Sequence, residues 1–474
     1  MLYSMLTLAA TCTGPYRGQT LNRAEILTIL QEAKKTDTIN LCGTLLSNIN
    51  LSKVNLHGVD LSYASLQNAQ LEQADLSRAI LVKTNLSGAN LQSSFLQAAD
   101  LTQANLTRAQ LQNSIFHNTV LIKANLTHAI LEGIQLQYAN VDSANLAHVQ
   151  GKEANFNFAK ISNANFYHSQ LNDAQFEHSV AIFTNFNKAS LKKTNFKKSN
   201  LQHATFIGAD LTNALMQDTD ISQVNFHQAN LREMEYYPTL DGLPNLDALS
   251  KSKNFATMHF SEKGFGPLSL LKLQLAYQKK GLRAPERLIT SMLKQHEMQR
   301  NFNQGGFHTL LGILQYIFFY LPCEFGLDPM RPLWIGFAFF MLATIPYYLS
   351  LGSQSPYAGI LIQWPSKRDH NYLLEASYQH FVKIYPTDPW IIASIKRYRM
   401  VLTALYLSLL SSLKIGFDDF NLAHWITYMQ SREYNLIPRG WVRSLAGFQA
   451  IFCAYLLLLW AITLFGRPFE VNLS

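Results

Sequence analysis

Basic side chains recur every twenty residues in the first half of the sequence: Arg108, His128, His148, His168 and Lys188. If residues twenty apart were neighbours in space, these side chains would form a ladder. Its imidazoles would allow it to sense pH or to bind an anionic surface; the alternative is a solvated row without a ligand. A basic patch follows, which would suit acidic lipid headgroups or be merely soluble: Lys188, Lys192, Lys193, Lys197 and Lys198.

Motifs typical of catalysis are missing from the sequence, including a glycine-rich phosphate loop, HExxH and GxSxG. The four cysteines, Cys12, Cys42, Cys323 and Cys453, include no CxxC pair. A zinc cluster or a disulfide framework is therefore not expected, and a reducing compartment is the simpler interpretation. We expect a protein that is not an enzyme and that uses no metal or other cofactor.

The composition divides the chain into a polar part and an apolar part. Of the 474 residues, 15% are charged and 48% hydrophobic, and the formal net charge is +8. All six tryptophans follow residue 333. Because tryptophan is enriched at membrane interfaces, this distribution predicts a membrane domain in the second part.

The element that would position the ladder is a five-residue repeat. Stepping by five from Leu41 reaches Leu231 without an insertion, and most of these centres are Leu or Phe. Weaker centres are Val141, Gly151, Ala181 and Met216. A small residue precedes most centres by two positions, and Asn or Asp often precedes them directly. Five matches neither the two-residue period of a strand nor the 3.6-residue period of a helix.

This pattern resembles the pentapeptide-repeat family, whose motif is A(D/N)LXX. The resemblance implies a right-handed quadrilateral β-helix with four pentapeptides per coil, which would make residues twenty apart neighbours. Each coil of such a solenoid buries its inner face only against the adjacent coils. From residue 156 onward, Phe alternates with other centres until residue 206, and we expect these rings to stack on two opposite faces.

Helices are predicted on both sides of the repeats. The segment 20–35 indicates an amphipathic capping helix with Thr20 as the N-cap candidate. Residues 266–300 indicate two helices joined near Gly281, after an irregular linker. The predicted domains are an N-terminal segment with its capping helix (1–39), the β-helix (40–232), a linker with a helical pair (233–304) and an α-helical transmembrane domain (305–474).

Two apolar stretches, 332–352 and 445–465, are long enough to cross a bilayer, and 307–322 and 400–413 are borderline. Their order resembles the two-span, pore-loop ion-channel module carried by some bacterial pentapeptide-repeat proteins. The potassium-channel signature is TVGYGD, and its six places hold Lys414, Ile415, Gly416, Phe417, Asp418 and Asp419.

Two of these residues depart from the signature. Lys414 replaces the threonine that would coordinate an ion, and an ammonium group at a pore mouth repels cations. Asp418 replaces a glycine whose backbone needs a positive φ. The resemblance therefore implies either a weakly selective or closed pore, tetrameric if channel-like, or a module kept as a membrane anchor.

The topology has two alternatives. The loop 353–399 is basic, which favours the cytoplasm. If both borderline segments span, this loop lies on the same side as the solenoid. If 400–413 is re-entrant and 307–322 does not span, the loop lies on the opposite side.

The expected function is a membrane-anchored scaffold or interaction protein with a channel-like tail, in a bacterial inner membrane with the solenoid in the cytoplasm. Its expected partners are the lipid bilayer, further copies of the chain and a protein on the solenoid. One alternative is a secreted effector that docks on host membranes. Another, a DNA mimic that binds gyrase, is disfavoured because residues 41–231 contain 12 acidic and 12 basic residues. We therefore expect no nucleic-acid partner.

Overall fold

The computed structural model describes residues 12–32, 39–238, 243–260, 266–352, 359–364, 374–377, 389–412 and 435–465. It divides into two compact units, Met1–Glu286 and Arg287–Ser474. The first unit contains the repeats, and the second contains the apolar helices.

Parallel backbone bridges connect residues twenty apart throughout the repeats. Asn85 pairs with Asn105, Asn105 with Asn125, and the same step continues to Asn230. One coil therefore contains four pentapeptides, as predicted. Each inward centre also donates its N–H to the next coil, as in Leu106 N to Asn125 O at 2.7 Å. The coil is thus a square in which each pentapeptide forms one side. We call residues 39–238 the solenoid.

Each side ends in a turn at the second residue after the centre. This residue has a positive φ in almost every repeat, for example 57° at Arg108 and 60° at His128. The left-handed region is disfavoured for side chains other than glycine. The Asn or Asp before the centre supports this geometry by accepting a local hydrogen bond. Asn105 Oδ1, for instance, accepts from Thr107 N at 3.1 Å and from Thr107 Oγ1 at 2.6 Å.

The interior of the solenoid is filled by buried side chains. The Leu and Phe centres are almost entirely buried. The phenylalanines stack along two opposite sides, as predicted: Phe156 lies 4.8 Å from Phe176, and Phe166 lies 5.0 Å from Phe186, between ring centroids. Rings of the two columns meet edge to face, which is a favourable arrangement of aromatic quadrupoles.

At Gly151, one of the weak centres, the neighbouring side chains leave no room for a larger residue. Val141, Gly151 and Ala181 lie on the two sides between the Phe columns. A Cβ at Gly151 would lie 2.9 Å from Leu171 Cδ2, which is closer than van der Waals contact. The glycine at centre 151 therefore leaves room for Leu171 on the same side of the next coil.

The N-terminal helix α1 (Arg23–Glu32) contacts the first complete coil, where Arg23 donates to the backbone carbonyls of Asn50 and Ser52. Its cap is Asn22, not the predicted Thr20: Glu25 N donates to Asn22 Oδ1 at 3.0 Å, and Asn22 N donates to Glu25 Oε2 at 2.7 Å. Thr20 instead forms a parallel bridge with Leu45.

A disulfide joins Cys12 to Cys42, with their Cα atoms 5.8 Å apart. The expectation of no disulfide was therefore wrong for this pair. The linear separation of 30 residues concealed it, because the first coil folds back on the N-terminal segment.

Short strands continue the solenoid at its C-terminal end. Strands β1 (Leu215–Thr219), β2 (Glu235–Pro238) and β3 (His259–Phe260) form a parallel sheet in that order. Helix α2 (Leu246–Ser250) lies between β2 and β3, with Asn245 as its cap. Asn230 bridges to Lys253, so part of the segment predicted as a linker pairs with the last coil.

Two helices follow, as predicted, and Gly281 with φ of 72° lies between them. These are α3 (Gly266–Lys280) and α4 (Arg283–Gln304). Within the second unit, α5 (Gly306–Gln315) continues through one π-helical turn (Tyr316–Tyr320) into α6 (Leu321–Cys323). Asn301 on α4 donates to Gln315 on α5 at 3.0 Å.

Three longer helices complete the second unit: α7 (Arg331–Gly352), α8 (Trp390–Ser412) and α9 (Trp441–Phe465). Within the described residues, three helical segments are long and apolar enough to cross a membrane, namely Gly306–Gly326, Arg331–Leu351 and Trp441–Phe465. The predicted stretch 400–413 is the second half of α8, which begins ten residues earlier than predicted. The hydropathy of the sequence did not identify the first half of α8 as part of an apolar helix, because this half contains Lys396, Arg397 and Arg399.

An antiparallel sheet of order β5-β4-β6 connects the segments between the long helices. Its strands are β4 (Gly359–Trp364), β5 (Leu374–Ser377) and β6 (Asn435–Arg439). Gly359 pairs with Arg439 and Gln363 with Asn435. The chain that follows α7 therefore lies beside the chain that precedes α9.

Candidate functional sites

The predicted ladder is present on one side of the solenoid. The backbone bridges place its five residues on consecutive coils, and all five side chains are exposed. The rings of His128 and His148 stack with centroids 4.9 Å apart, and those of His148 and His168 with centroids 5.3 Å apart. This spacing follows from the distance between paired strands, so the ladder is as regular as the backbone beneath it.

Further contacts organise the C-terminal end of the ladder. Tyr167 meets His148 edge to face at 5.8 Å, and Lys188 Nζ donates to Tyr167 Oη at 3.1 Å. The same ammonium group lies 5.5 Å from the centroid of the Tyr167 ring, within range of a cation–π interaction. Beneath these side chains, Asn185 donates to Asn165 Oδ1 at 2.9 Å, which continues the ladder as a row of amides.

The lysines of the predicted basic patch do not share one face. Their register places Lys188 on one side of the coil, Lys192 and Lys193 on the next, and Lys197 and Lys198 on the third. Lys192 Nζ lies 3.4 Å from Asp210 Oδ2 on the following coil. These lysines therefore form a belt around three sides of the solenoid. The prediction of a single patch was based only on their closeness in the sequence.

Asp210 is an anion stabilised by its own turn. Burial acts to raise the pKa of Asp210, but hydrogen bonds from the hydroxyl and backbone N–H of Thr212, together with the charge of Lys192, hold it below its ordinary value. The pKa of Asp220 is also lowered against the effect of burial, by Ser222 and Gln202.

The pore-filter-like segment, Lys414, Ile415, Gly416, Phe417, Asp418 and Asp419, lies outside the described residues. Its flanking elements are described: α8 ends at Ser412, and β6 begins at Asn435.

A buried hydrogen-bond network lies where α7, α8 and α9 meet. Tyr347 Oη on α7 lies 3.0 Å from Gln449 Oε1 on α9 and 3.0 Å from Ser411 Oγ on α8. Gln449 Nε2 donates to Ser408 Oγ at 2.8 Å and to Ser412 Oγ at 2.7 Å. The side chains of Tyr347, Ser408 and Gln449 are completely inaccessible to solvent.

This network ties all three helices together. Ser408 Oγ also donates to the backbone carbonyl of Phe340 at 2.8 Å, so α8 is bonded to both of its neighbours. In an apolar surrounding each polar group needs a partner, and here the amide and hydroxyl groups supply one another. Sequence reasoning missed this site. Its only signal was a single Gln in an otherwise apolar span, with serines spaced three or four residues apart on α8.

The network also shows the relative direction of the helices. Leu351, Met400 and Val442 belong to one buried cluster. Further along both α8 and α9, Ser408 and Ser412 bond to Gln449. Helices α7 and α9 are antiparallel, because Tyr347 meets Gln449 whereas Phe339, earlier on α7, meets Phe452, later on α9.

Metal chemistry receives no support from the described part of the chain, where no three His, Cys, Asp or Glu residues are grouped as a metal site would require.

A family model for pentapeptide repeats matches eight copies between residues 39 and 232. This region is a pentapeptide-repeat domain. The family implies the right-handed quadrilateral β-helix expected from the sequence, and the twenty-residue coil agrees with four pentapeptides per turn. The helices after the pentapeptide-repeat domain lie outside the match.

Similar solved structures are themselves pentapeptide-repeat or fluoroquinolone-resistance proteins. HetL, involved in heterocyst differentiation regulation in the cyanobacterium Nostoc sp. strain PCC 7120, is 27% identical, with 49% of this chain and 94% of HetL covered and a TM-score of 0.27. QnrB1, a plasmid-mediated fluoroquinolone resistance protein, is 12% identical over 40% of this chain and 91% of its own, with a TM-score of 0.26. A pentapeptide repeat protein of the Arabidopsis thaliana thylakoid lumen is 20% identical over 22% of this chain and 72% of its own, with a TM-score of 0.15. No curated protein matches the chain.

Proposed function

We propose that this protein is a membrane-anchored scaffold whose solenoid binds a protein partner and whose helical unit has the topology of a pore-loop module. The observation that carries the proposal is the order of the helices: a segment long and apolar enough to span, then α8 with its short apolar part, then a second segment long and apolar enough to span. A half-span helix followed by a returning segment and a full span is the order of a pore-loop channel.

The length of the apolar part of α8 supports a half-span. Of its 23 residues, the 13 after Arg399 contain no charged side chain. At 1.5 Å per residue they extend about 20 Å, short of the roughly 30 Å of a bilayer's hydrocarbon core. Lys396, Arg397 and Arg399 would then lie at the interface, where basic side chains favour headgroups.

The solenoid supports the scaffold part of the proposal. Its backbone is bonded coil to coil from residue 40 to residue 230, and its outward positions are polar at regular intervals. A rigid surface with repeated side chains loses little conformational entropy on binding. Nothing in this surface resembles a catalytic constellation.

Membrane anchoring is tested by extraction. The full chain should sediment with membranes and remain there in alkaline carbonate, as expected for integral segments. Release into the supernatant would contradict the anchor and leave the solenoid's binding role to be judged separately.

The pore-loop topology is tested by cysteine labelling of the full chain in sealed vesicles. The background would have Cys12, Cys42, Cys323 and Cys453 replaced by Ser. Single cysteines at Trp390 and Trp441 should both react with an impermeant maleimide from one side, and a cysteine at Asn421 should react from that same side. Reaction of the Asn421 cysteine from the opposite side would contradict the returning segment.

Conduction is tested with Lys414 and Asp418. Replacement of Lys414 by Thr and Asp418 by Gly should raise potassium flux in liposomes, because it removes an ammonium group and restores a flexible turn. The matched control carries Lys396→Thr and Asp328→Gly, which make the same changes outside the filter-like segment. A well-folded tetramer with background flux in all variants would favour the anchor over the pore.

A further inference from the structure

One side of the solenoid contains no acidic residue. It consists of the outward positions around the centres from Leu66 to Phe226, and we call it the His face. The outward residues beside each centre are 65, 67 and 68 and their equivalents at intervals of twenty, up to 225, 227 and 228. None of them is Asp or Glu. The twelve acidic residues of the repeats all lie on the other three sides. The His face contains the whole ladder and, in addition, His227.

A glycine follows the ladder at each of its two ends. The coil before Arg108 presents Gly88 at the same position, and the coil after Lys188 presents Gly208. Both glycines have a positive φ, of 67° and 66°, like the turn residues they replace. The five large basic or imidazole side chains are thus bounded by two positions without a side chain.

We propose that the His face binds a partner α-helix that carries one acidic side chain per turn along a single stripe. This inference rests on the scaffold function proposed above and specifies the chemistry of the partner. Carboxylates on the stripe would meet Arg108, Lys188 and the imidazoles between them, and no like charge on this face would oppose them.

Spacing favours a helix over other acidic partners. The five rungs of the ladder, about 4.8 Å apart, span about 20 Å. An acidic stripe with one side chain per turn repeats every 5.4 Å, so five carboxylates span about 22 Å. Alternate side chains of an extended strand repeat at about 6.7 Å and would span about 27 Å. The flexible ends of Arg108 and Lys188 can absorb a difference of about 2 Å but not one of about 7 Å.

The location of the other basic residues distinguishes a helix from a diffuse polyanion. A lipid surface or a nucleic acid would be attracted equally by the belt lysines on the neighbouring sides, such as Lys192 and Lys193. A striped helix needs basic side chains in one row, and among the solenoid positions that the structure describes only the ladder supplies five such side chains in a row.

The test uses the full chain in detergent micelles and a fluorescent synthetic peptide helix with five glutamates, one per turn, on one face. Its control peptide has the same composition with the glutamates distributed around the helix. Anisotropy is measured at pH 6. The striped peptide should bind about tenfold more tightly than the control, and the double variant Arg108→Ser, Lys188→Ser should lose about tenfold in affinity.

The matched protein control is Lys192→Ser, Lys193→Ser, which removes the same charge from the adjacent side and should change the affinity less than twofold. Circular dichroism should show all variants folded, because each substituted side chain is exposed. Equal binding of the two peptides, or equal losses in the two double variants, would reveal general attraction of polyanions and overturn the inference. A chain that stays in carbonate-washed membranes but does not distinguish the peptides overturns this inference alone.

Discussion

Tyr347 and Gln449 meet in the interior of the helical unit, where the tyrosine hydroxyl lies 3.0 Å from the glutamine carbonyl oxygen. Both side chains are fully buried, and the amide nitrogen of Gln449 reaches two serines of α8. One amide therefore links α9 to α8 directly and to α7 through Tyr347.

Replacing Gln449 by Leu should destabilise the helical unit by about 1–3 kcal/mol, because several buried polar groups lose their partner at once. Thermal unfolding in detergent, followed by reactivity of the buried Cys453, measures this effect. The control is Phe448→Leu, since Phe448 is its immediate neighbour and is exposed on the apolar surface. Equal stability of the two variants would show that the network contributes nothing to helix arrangement.

Phe183 and Phe186 form a matched pair for testing the five-residue register. Phe186 is buried between Phe166 and Phe206, with ring centroids at 5.0 and 4.9 Å, whereas Phe183 is 59% exposed. Phe186→Ala should cost about 3–5 kcal/mol through lost burial and a residual cavity. Phe183→Ala should cost less than about 1 kcal/mol. Chemical denaturation followed by circular dichroism compares them, and similar losses would contradict the assignment of inward and outward positions.

Asp210 and Asp220 should make the solenoid sensitive to acid. Their folded pKa values lie below the ordinary 3.8, so the unfolded chain binds more protons at low pH. The stabilisation is present above this value and is lost as pH falls through the folded pKa values. In the double variant Asp210→Asn, Asp220→Asn, the melting temperature should fall less steeply than that of the unsubstituted protein as the pH decreases below about 4.

The same double variant should remain folded at neutral pH. Asparagine occupies the equivalent position elsewhere, as Asn105 does when it accepts hydrogen bonds from Thr107. If the variant is folded at pH 7 but its melting temperature depends on acidic pH as that of the unsubstituted protein does, other groups control acid unfolding.

Asn22 should contribute more to the stability of α1 than Thr20 does. Asn22→Ala removes the side chain that caps the helix and should destabilise it by about 1 kcal/mol, whereas Asn22→Ser should retain most of the effect. Hydrogen exchange of residues 23–32 measures the change. Greater exchange in Thr20→Ala than in Asn22→Ala would favour the cap predicted from the sequence.

The repeats were readable from the sequence because their structure is local and periodic. A buried residue at every fifth position, most often Leu or Phe, a small residue two before it and frequently Asn or Asp one before it have the same roles from coil to coil. The ladder could be predicted for the same reason: once a coil contains twenty residues, neighbours in space follow from arithmetic. Thr20 was misassigned as a cap because helix caps depend on where the first turn begins, which a pattern locates only to within a few residues.

Contacts between distant segments were decided only by the tertiary structure. The pairing of Cys12 with Cys42 required the chain to fold back along the first coil, and the belt formed by Lys188, Lys192 and Lys198 required the corners of the square. Neither the length of α8 nor the role of Gln449 could be derived from hydropathy, because hydropathy averages a window and does not record which polar atoms meet. A five-residue period repeats one local solution, whereas a hydrogen bond between helices depends on where each helix has been placed by all the others.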